Sequence, residues 1–173
     1  LKARLKELAR DQILGAAEQT FASEGLHGAR METIARQVGV AVGTLYNHFQ
    51  DRTALLTALL DARRTELVAR FDAALDRLEG KPFEEQLTAF FTSAFDHFET
   101  HLPFMKVLIE AENMPGSSQK KMMDEVRKRT TQLVQRGVKA KTLRAADAEL
   151  FSPILLGIMK VTMLRQIRGE LPA

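Results

Sequence analysis

The stretch METIARQVGVAVGTLYNHF, residues 31–49, decides the fold of this chain. It reads as two short helices, about Met31 to Val38 and Val42 to Phe49, joined by Gly39, Val40 and Ala41. Gly39 can take a positive φ at the turn without steric cost. Ala35, four residues earlier, is small enough to let the second helix cross closely over the first. Val40 and Leu45 are expected to fill the wedge between the helices, with Ile34 and Val38 beneath. On the second helix Leu45 and Phe49 lie four apart and point inward, whereas Thr44, Asn47 and His48 fall away, flanked by Val42 and Tyr46. That is the layout of a helix-turn-helix, in which the second helix enters the DNA major groove, and equally of two short helices in ordinary packing. Tyr46 is the only tyrosine in the chain, set beside an amide and an imidazole. A core would use Phe or Leu here, and a plain solvated face Lys or Glu.

Working outward, helical periodicity runs nearly everywhere and no segment sustains period-two alternation, so the fold class is all-α. Leu5, Leu8, Ile13, Ala17 and Phe21 form one stripe of a first helix over 3–24, with Gly25 as its left-handed stop. Asp51 is the expected N-cap of a long helix through Leu55, Leu59, Leu67, Phe71, Leu75 and Leu78, ending at Gly80. Further helices are expected near 83–101, 103–114, 117–138 and 147–168. The organisation is an N-terminal three-helix domain over 1–50, linked by helix 51–79, and a C-terminal helical bundle within 51–173.

The 173 residues suit one domain, or one with a small appendage, and are enough to bury a core without disulfide or metal staples. A hydrophobic content of 45% with five prolines excludes a disordered or collagen-like chain. The absence of cysteine excludes disulfides, thiolate metal sites and a cysteine nucleophile, and suits a reducing cytoplasm. The charged start LKARLKELAR lacks the apolar region of a signal peptide. Net charge is +3, with basic residues gathered in two places. One is Lys2, Arg4, Lys6 and Arg10; the other runs from Lys120 to Arg144 and reads as a solvated helix face or as a second nucleic-acid surface.

A wider segment, ILGAAEQTFASEGLHGARMETIARQVGVAVGTLYNHFQDRTALL (13–56), closely resembles the N-terminal DNA-binding region of the TetR family of one-component bacterial regulators. The shared features are the Ile-Leu-x-Ala-Ala start, the Phe-x-x-x-Gly turn, Ile-Ala ahead of Gly-Val, Gly-Thr-Leu-Tyr-x-His-Phe, and a basic residue, Arg52, three after that Phe. The resemblance implies a homodimer that places two copies of helix 42–49 on a near-palindromic DNA operator and senses a small molecule in its C-terminal half. It implies phosphate contacts from Thr44 and Tyr46, with Val42, Gly43, Asn47 and His48 near base edges or phosphates. Asn can pair with adenine and Val42 can pack on a thymine methyl. Arg52 is expected to grip a phosphate beside a helix N-terminus. Two departures stand out: Ala41 and Ala29–Arg30 occupy positions where the family favours Ser or Thr. Lost caps of this kind cost about 0.5–2 kcal/mol, and Arg30 can restore a phosphate contact by charge.

In the C-terminal half, Phe91, Phe95 and Phe98 share a helical stripe. They read either as core or as the lining of a cavity for a largely apolar effector, with Met105, Leu108, Ile109, Glu112, Met122 and Val126 as further walls or anchors. His97 and His101 stand at i, i+4, a spacing that can hold a metal, but no third ligand is visible in the sequence. No metal or cofactor is therefore assigned. From Leu150 to Leu164 the only charge is Lys160, so that helix must be covered on more than one side. Fifteen residues is short for a membrane span. Burial against a second subunit explains it, with Phe151, Leu155, Ile158, Met159 and Thr162 as contacts and Gly157 allowing close approach.

The sequence thus points to a sequence-specific transcriptional regulator, a repressor released from its operator by an effector. The alternatives are a helical interaction module of the same fold without specific DNA binding and an all-α enzyme. The enzyme is the poorer reading, because no phosphate-binding loop, H-E-x-x-H, G-x-S-x-G or dinucleotide motif is present.

Overall fold

The computed structural model describes the backbone of residues 2–110 and 116–170, and within these the side chains of all but 2–8, 108, 110, 116, 117 and 119. Among the described residues there are eight helices and no strand: α1 Lys2–Gly28, α2 Met31–Val38, α3 Val42–His48, α4 Arg52–Arg77, α5 Phe83–Thr100, α6 Leu102–Glu110, α7 Gly116–Lys139 and α8 Ala145–Ile167.

Local chemistry sets most of these limits. Gly25 has the left-handed backbone expected of it (φ 76), yet a last helical turn follows, closed by Ala29 N–H donating to the Gly25 carbonyl at 3.2 Å. α1 therefore kinks at Gly25 and ends at Gly28. α2 stops where Gly39 takes φ 78, ψ 30, and the next amide, Val40, donates back to the Ala35 carbonyl at 3.0 Å. α4 starts as predicted, with the Asp51 carboxylate accepting from the Ala54 amide at 2.7 Å. α2 and α3 begin at Arg30 and Ala41 without a side-chain cap, consistent with the missing hydroxyls. α8 starts at Ala145, close to the expected 147, with Pro153 inside it.

The chain divides into two compact units. The first comprises Leu1–Arg63 and Pro103–Ser118. Its core joins Ile13, Leu14, Ala17 and Phe21 of α1 to Met31, Ile34 and Ala35 of α2, Leu45 of α3, Phe49, and Leu55, Leu59 and Leu60 of α4. Phe104 of α6 closes it, its ring 6.3 Å from that of Phe21. Polar groups brace the same unit. Thr20, buried, donates to the Ala16 carbonyl at 2.8 Å and meets the Gln37 amide oxygen at 2.9 Å, and Arg63 Nε donates to Glu18 at 2.9 Å.

The second unit comprises Arg64–Leu102 and Gln119–Ala173. Its core holds Leu67, Phe71 and Leu75 of α4, Phe83, Phe90 and Ala94 of α5, Val126 and Leu133 of α7, and Met159 of α8. Phe71 and Phe90 stack with centroids 4.2 Å apart. Gly137 is needed for space rather than for its backbone: a Cβ there would stand 2.9 Å from Leu143 Cδ1 and from the Phe83 ring. Two arginines of the basic run turn inward instead of joining a solvated face. Arg129 is buried and donates to both Asp72 oxygens (3.1 and 3.0 Å) and to Glu125. The Asp72 hydrogen bonds hold its guanidinium above the usual arginine range. Arg136 donates to the Leu75 carbonyl at 2.6 Å and to Gln86 at 3.2 Å. Lys120, Lys121, Arg127, Lys128, Lys139, Lys141 and Arg144 remain exposed.

Candidate nucleic-acid interface

The α2–α3 pair is built from its buried side outward. Ile34, Ala35 and Leu45 are fully enclosed, Phe49 is buried beyond the end of α3, and Val38 and Val40 pack half-buried on the same core. One inward position per turn is enough to hold α3, because its seven residues pack through Leu45 and its flanks. The rest of the helix faces away. Val42, Gly43, Thr44, Tyr46 and Asn47 are all exposed, and His48 is half-buried with its ring 6.3 Å from that of Phe49. Tyr46 is 47% exposed. Among the described residues, the Thr44 hydroxyl, Tyr46 hydroxyl and Asn47 amide make no hydrogen bond. Tyr46 therefore does not serve as a buried hydroxyl that caps the helix pair.

Chemically this face offers a methyl-bearing wall from Val42, a hydroxyl from Thr44, a phenol from Tyr46 and a paired donor and acceptor from Asn47. Those are the groups that meet thymine methyls, phosphate oxygens and adenine edges. Gly43 leaves a gap in the middle, where an added Cβ would meet nothing within 4 Å. Arg30, exposed and uncapped at the start of α2, can direct its charge to a phosphate.

Arg52 has a structural contact that the sequence did not suggest. Its NH1 donates to the His27 carbonyl at 2.8 Å and to the Ala29 carbonyl at 3.5 Å. The guanidinium therefore also ties the end of α1 to the start of α4. The sequence also gave no hint that Arg10 lies over the Phe49 ring, 5.3 Å from its centroid. That placement brings an exposed cation of α1 beside the end of α3, and only the folded arrangement reveals it.

The residues nominated for effector binding come from both units. Phe98 and Val126 are buried, while Phe91, Phe95 and Met122 are half-buried in the second unit, where Phe91 packs between Phe90 and Phe95 at 6.2 Å each. Met105 packs on the core of the first unit, and Ile109 is exposed. Leu108 and Glu112 lie outside the described residues. A groove of about 530 Å³ in the second unit has another lining altogether: Asp72, Leu75, Asp76, Gln132, Gln135, Arg136 and Lys139.

The residues nominated as dimer contacts fall on different sides of α8. Leu155 and Met159 are buried in their own chain, Phe151 sits 6.4 Å from the Phe83 ring, and Thr162 donates to the Ile158 carbonyl at 2.9 Å. Ile158 is the one nominated aliphatic that is exposed. With it stand Leu150, Ile154 and Val161, at 65, 55 and 57% exposure. Their spacing places all four on one side of the helix. Among the described residues α8 is also the one helix long and apolar enough to cross a membrane, by length and composition alone. Its inward side, however, forms part of the core of the second unit.

Comparison with known proteins agrees with this geometry. Residues 13–59 match the family described as bacterial regulatory proteins, tetR family. Over 62 residues the chain is 37% identical to the HTH-type transcriptional regulator UidR of Escherichia coli (strain K12), covering 36% of this chain and 32% of that protein. Over 108 residues it is 30% identical to the HTH-type transcriptional regulator BetI of Escherichia coli (strain K12 / DH10B), covering 61% of this chain and 54% of BetI. The chain thus spans about a third and about half of the lengths of these relatives. The crystal structure of the transcriptional regulator FadR from Bacillus subtilis in complex with stearoyl-CoA is similar in fold, with TM-score 0.74 at 19% identity over 92% of this chain and 87% of that one. The helix-turn-helix segment, residues 13–59, is thus similar to that of the tetR family of bacterial regulatory proteins, and the fold around it is similar to that of solved regulators.

Proposed function

We propose that the chain is a cytoplasmic, homodimeric, sequence-specific DNA-binding regulator, a repressor released from its operator by a small-molecule effector. The observation that carries this reading is the outward face of α3. Thr44, Tyr46 and Asn47 stand exposed there with their hydrogen-bonding groups unspent, around the fully buried Leu45. A helix of this size with an inert purpose would carry solvated Lys or Glu. The DNA-binding domain is residues 1–50, with Arg30, Val42, Gly43, Thr44, Tyr46, Asn47, His48 and, just beyond it, Arg52 at the DNA; residues 51–173 serve ligand binding and dimerisation.

Two half-sites need two heads, and the exposed aliphatic stripe Leu150, Ile154, Ile158 and Val161 supplies a self-complementary surface for a two-fold partner. The solved relative that holds stearoyl-CoA supports an effector with a large apolar part. For release to follow, such a molecule must bind the DNA-incompetent arrangement more tightly than the competent one. Nothing in this scheme asks for catalysis, and the protein acts by binding.

The test is selection from a random double-stranded DNA pool at near-physiological salt. The reading expects an inverted repeat with half-site centres one helical turn, about 34–36 Å, apart or a multiple of it. Retention without a motif, falling steeply with salt, would leave only phosphate recognition. No retention would return the chain to the interaction-module reading.

A further inference from the structure

The sequence offers His97 and His101 as an i, i+4 pair with no third ligand. The fold supplies one from another helix. Glu66 of α4 meets the pair at the end of α5, and one ligand atom from each of the three residues lies within 4.8 Å of the other two. Glu66 Oε2 is 3.3 Å from His101 Nε2 and Glu66 Oε1 is 3.7 Å from His97 Nδ1, with the two imidazole centroids 4.7 Å apart. From this geometry we infer a binding site for one divalent transition-metal ion of the zinc class, held by Glu66, His97 and His101 within the second unit.

Three features argue for a metal beyond an ordinary His–carboxylate contact. First, two imidazoles and one carboxylate form the donor set of three-ligand zinc sites that leave a fourth position open. Second, the spacing suits the ion. Zinc–ligand bonds of about 2.0–2.2 Å in a tetrahedron put ligand atoms roughly 3.3–3.6 Å apart. The two carboxylate–imidazole separations, one to each oxygen of Glu66, fall at or beside that range, and all three ligand atoms lie within 4.8 Å, so a small closure brings them round one ion. Third, burial is graded. Both histidines are buried, whereas the Glu66 side chain is 32% exposed, which opens the carboxylate side of the site to solvent.

Arg70 completes the surroundings. Its NH2 donates to Glu66 Oε1 at 3.0 Å, orienting the carboxylate from the next turn of α4. The same guanidinium places a positive charge beside the site. That charge opposes any cation, and the two imidazole donors are what favour Zn²⁺ over Mg²⁺, which prefers an all-oxygen shell. Occupancy would pin α4 to the end of α5, whatever the role of that link in regulation.

The test uses the full chain stripped with chelator and titrated with Zn²⁺ against a chromophoric competitor, with X-ray absorption at the zinc edge on the loaded protein. The expected result is one Zn²⁺ per chain with a mixed imidazole and oxygen shell. Glu66→Gln, nearly isosteric and at a part-exposed position, should weaken binding by at least about 10-fold, and His97→Gln with His101→Gln by at least about 100-fold. Melting of the metal-free proteins by circular dichroism separates lost binding from lost folding. If the histidine variants fail to fold, Glu66→Gln alone decides. Well under one Zn²⁺ per wild-type chain, or unchanged affinity in Glu66→Gln, overturns the site and sends any residual binding to surface histidines such as His27.

Discussion

Replacing Ile158 by Asp tests the dimer and the orientation of α8 together. Ile158 is 53% exposed, so about half of its side chain remains to be buried by a partner. Full burial of such a side chain is worth about 1.5–3 kcal/mol, so the remaining half contributes roughly 1–1.5 kcal/mol. Two-fold symmetry presents the position twice, which brings the loss to about 2–3 kcal/mol. Two carboxylates placed in a dehydrated seam add several kcal/mol of desolvation cost. The dimer constant should therefore weaken by at least about 100-fold, the equivalent of about 3 kcal/mol. Sedimentation velocity over a wide range of protein concentration reads this directly, and far-UV circular dichroism checks that the monomer stays folded. The matched control is Leu155→Ala, one turn away on the buried side, which should lower fold stability by about 2–5 kcal/mol without a specific effect on association. If Ile158→Asp sediments like the wild-type protein at every concentration, the exposed stripe is not the dimer surface and the reasoning from exposure fails.

Other outcomes follow from the same geometry. Asn47→Ala should weaken binding to the selected operator by about 1–3 kcal/mol and relax the preference at one base pair, while leaving the melting curve within about 0.5 kcal/mol of wild type; fluorescence anisotropy with matched and single-mismatch duplexes checks both. Tyr46→Phe removes one hydroxyl at an exposed position, so it should reduce affinity for all sequences alike and leave stability unchanged. Arg52→Ala should destabilise the protein by about 1 kcal/mol even without DNA, because its two carbonyl partners at the end of α1 lose a charged donor; a urea midpoint equal to wild type would restore it to a purely DNA-facing role. Gly137→Ala should also destabilise, by about 1–3 kcal/mol from crowding against Phe83 and Leu143, set against the roughly 1 kcal/mol that alanine normally gains over glycine inside a helix.

The helix-turn-helix was legible because its determinants are local. Gly39 ends α2, Asp51 starts α4, and Leu45 with Phe49 picks the inward side of α3, each through contacts a few residues long. The outward residues follow by subtraction, since a helix with one inward stripe must expose the remainder. Local reasoning was weaker where a helix is apolar nearly all round. In α8 the pattern demanded cover on more than one side without saying which side the chain itself would cover. Leu155 and Met159 went to its own core, leaving Leu150, Ile154, Ile158 and Val161 outside.

The sequence by itself thus determined the all-α class, the position of the short helix pair, and the face that pair shows to solvent. These depend on 3.6-residue periodicity, capping and glycine dihedrals, which act within one or two turns. The tertiary structure alone decided that Arg52 holds carbonyls of the α1–α2 connection, that Arg129 turns inward to Asp72, and that Glu66 joins His97 and His101. Each of these joins residues far apart in the chain. Charge and hydrogen bonding act on distance in space, and sequence spacing carries no record of which helices will meet.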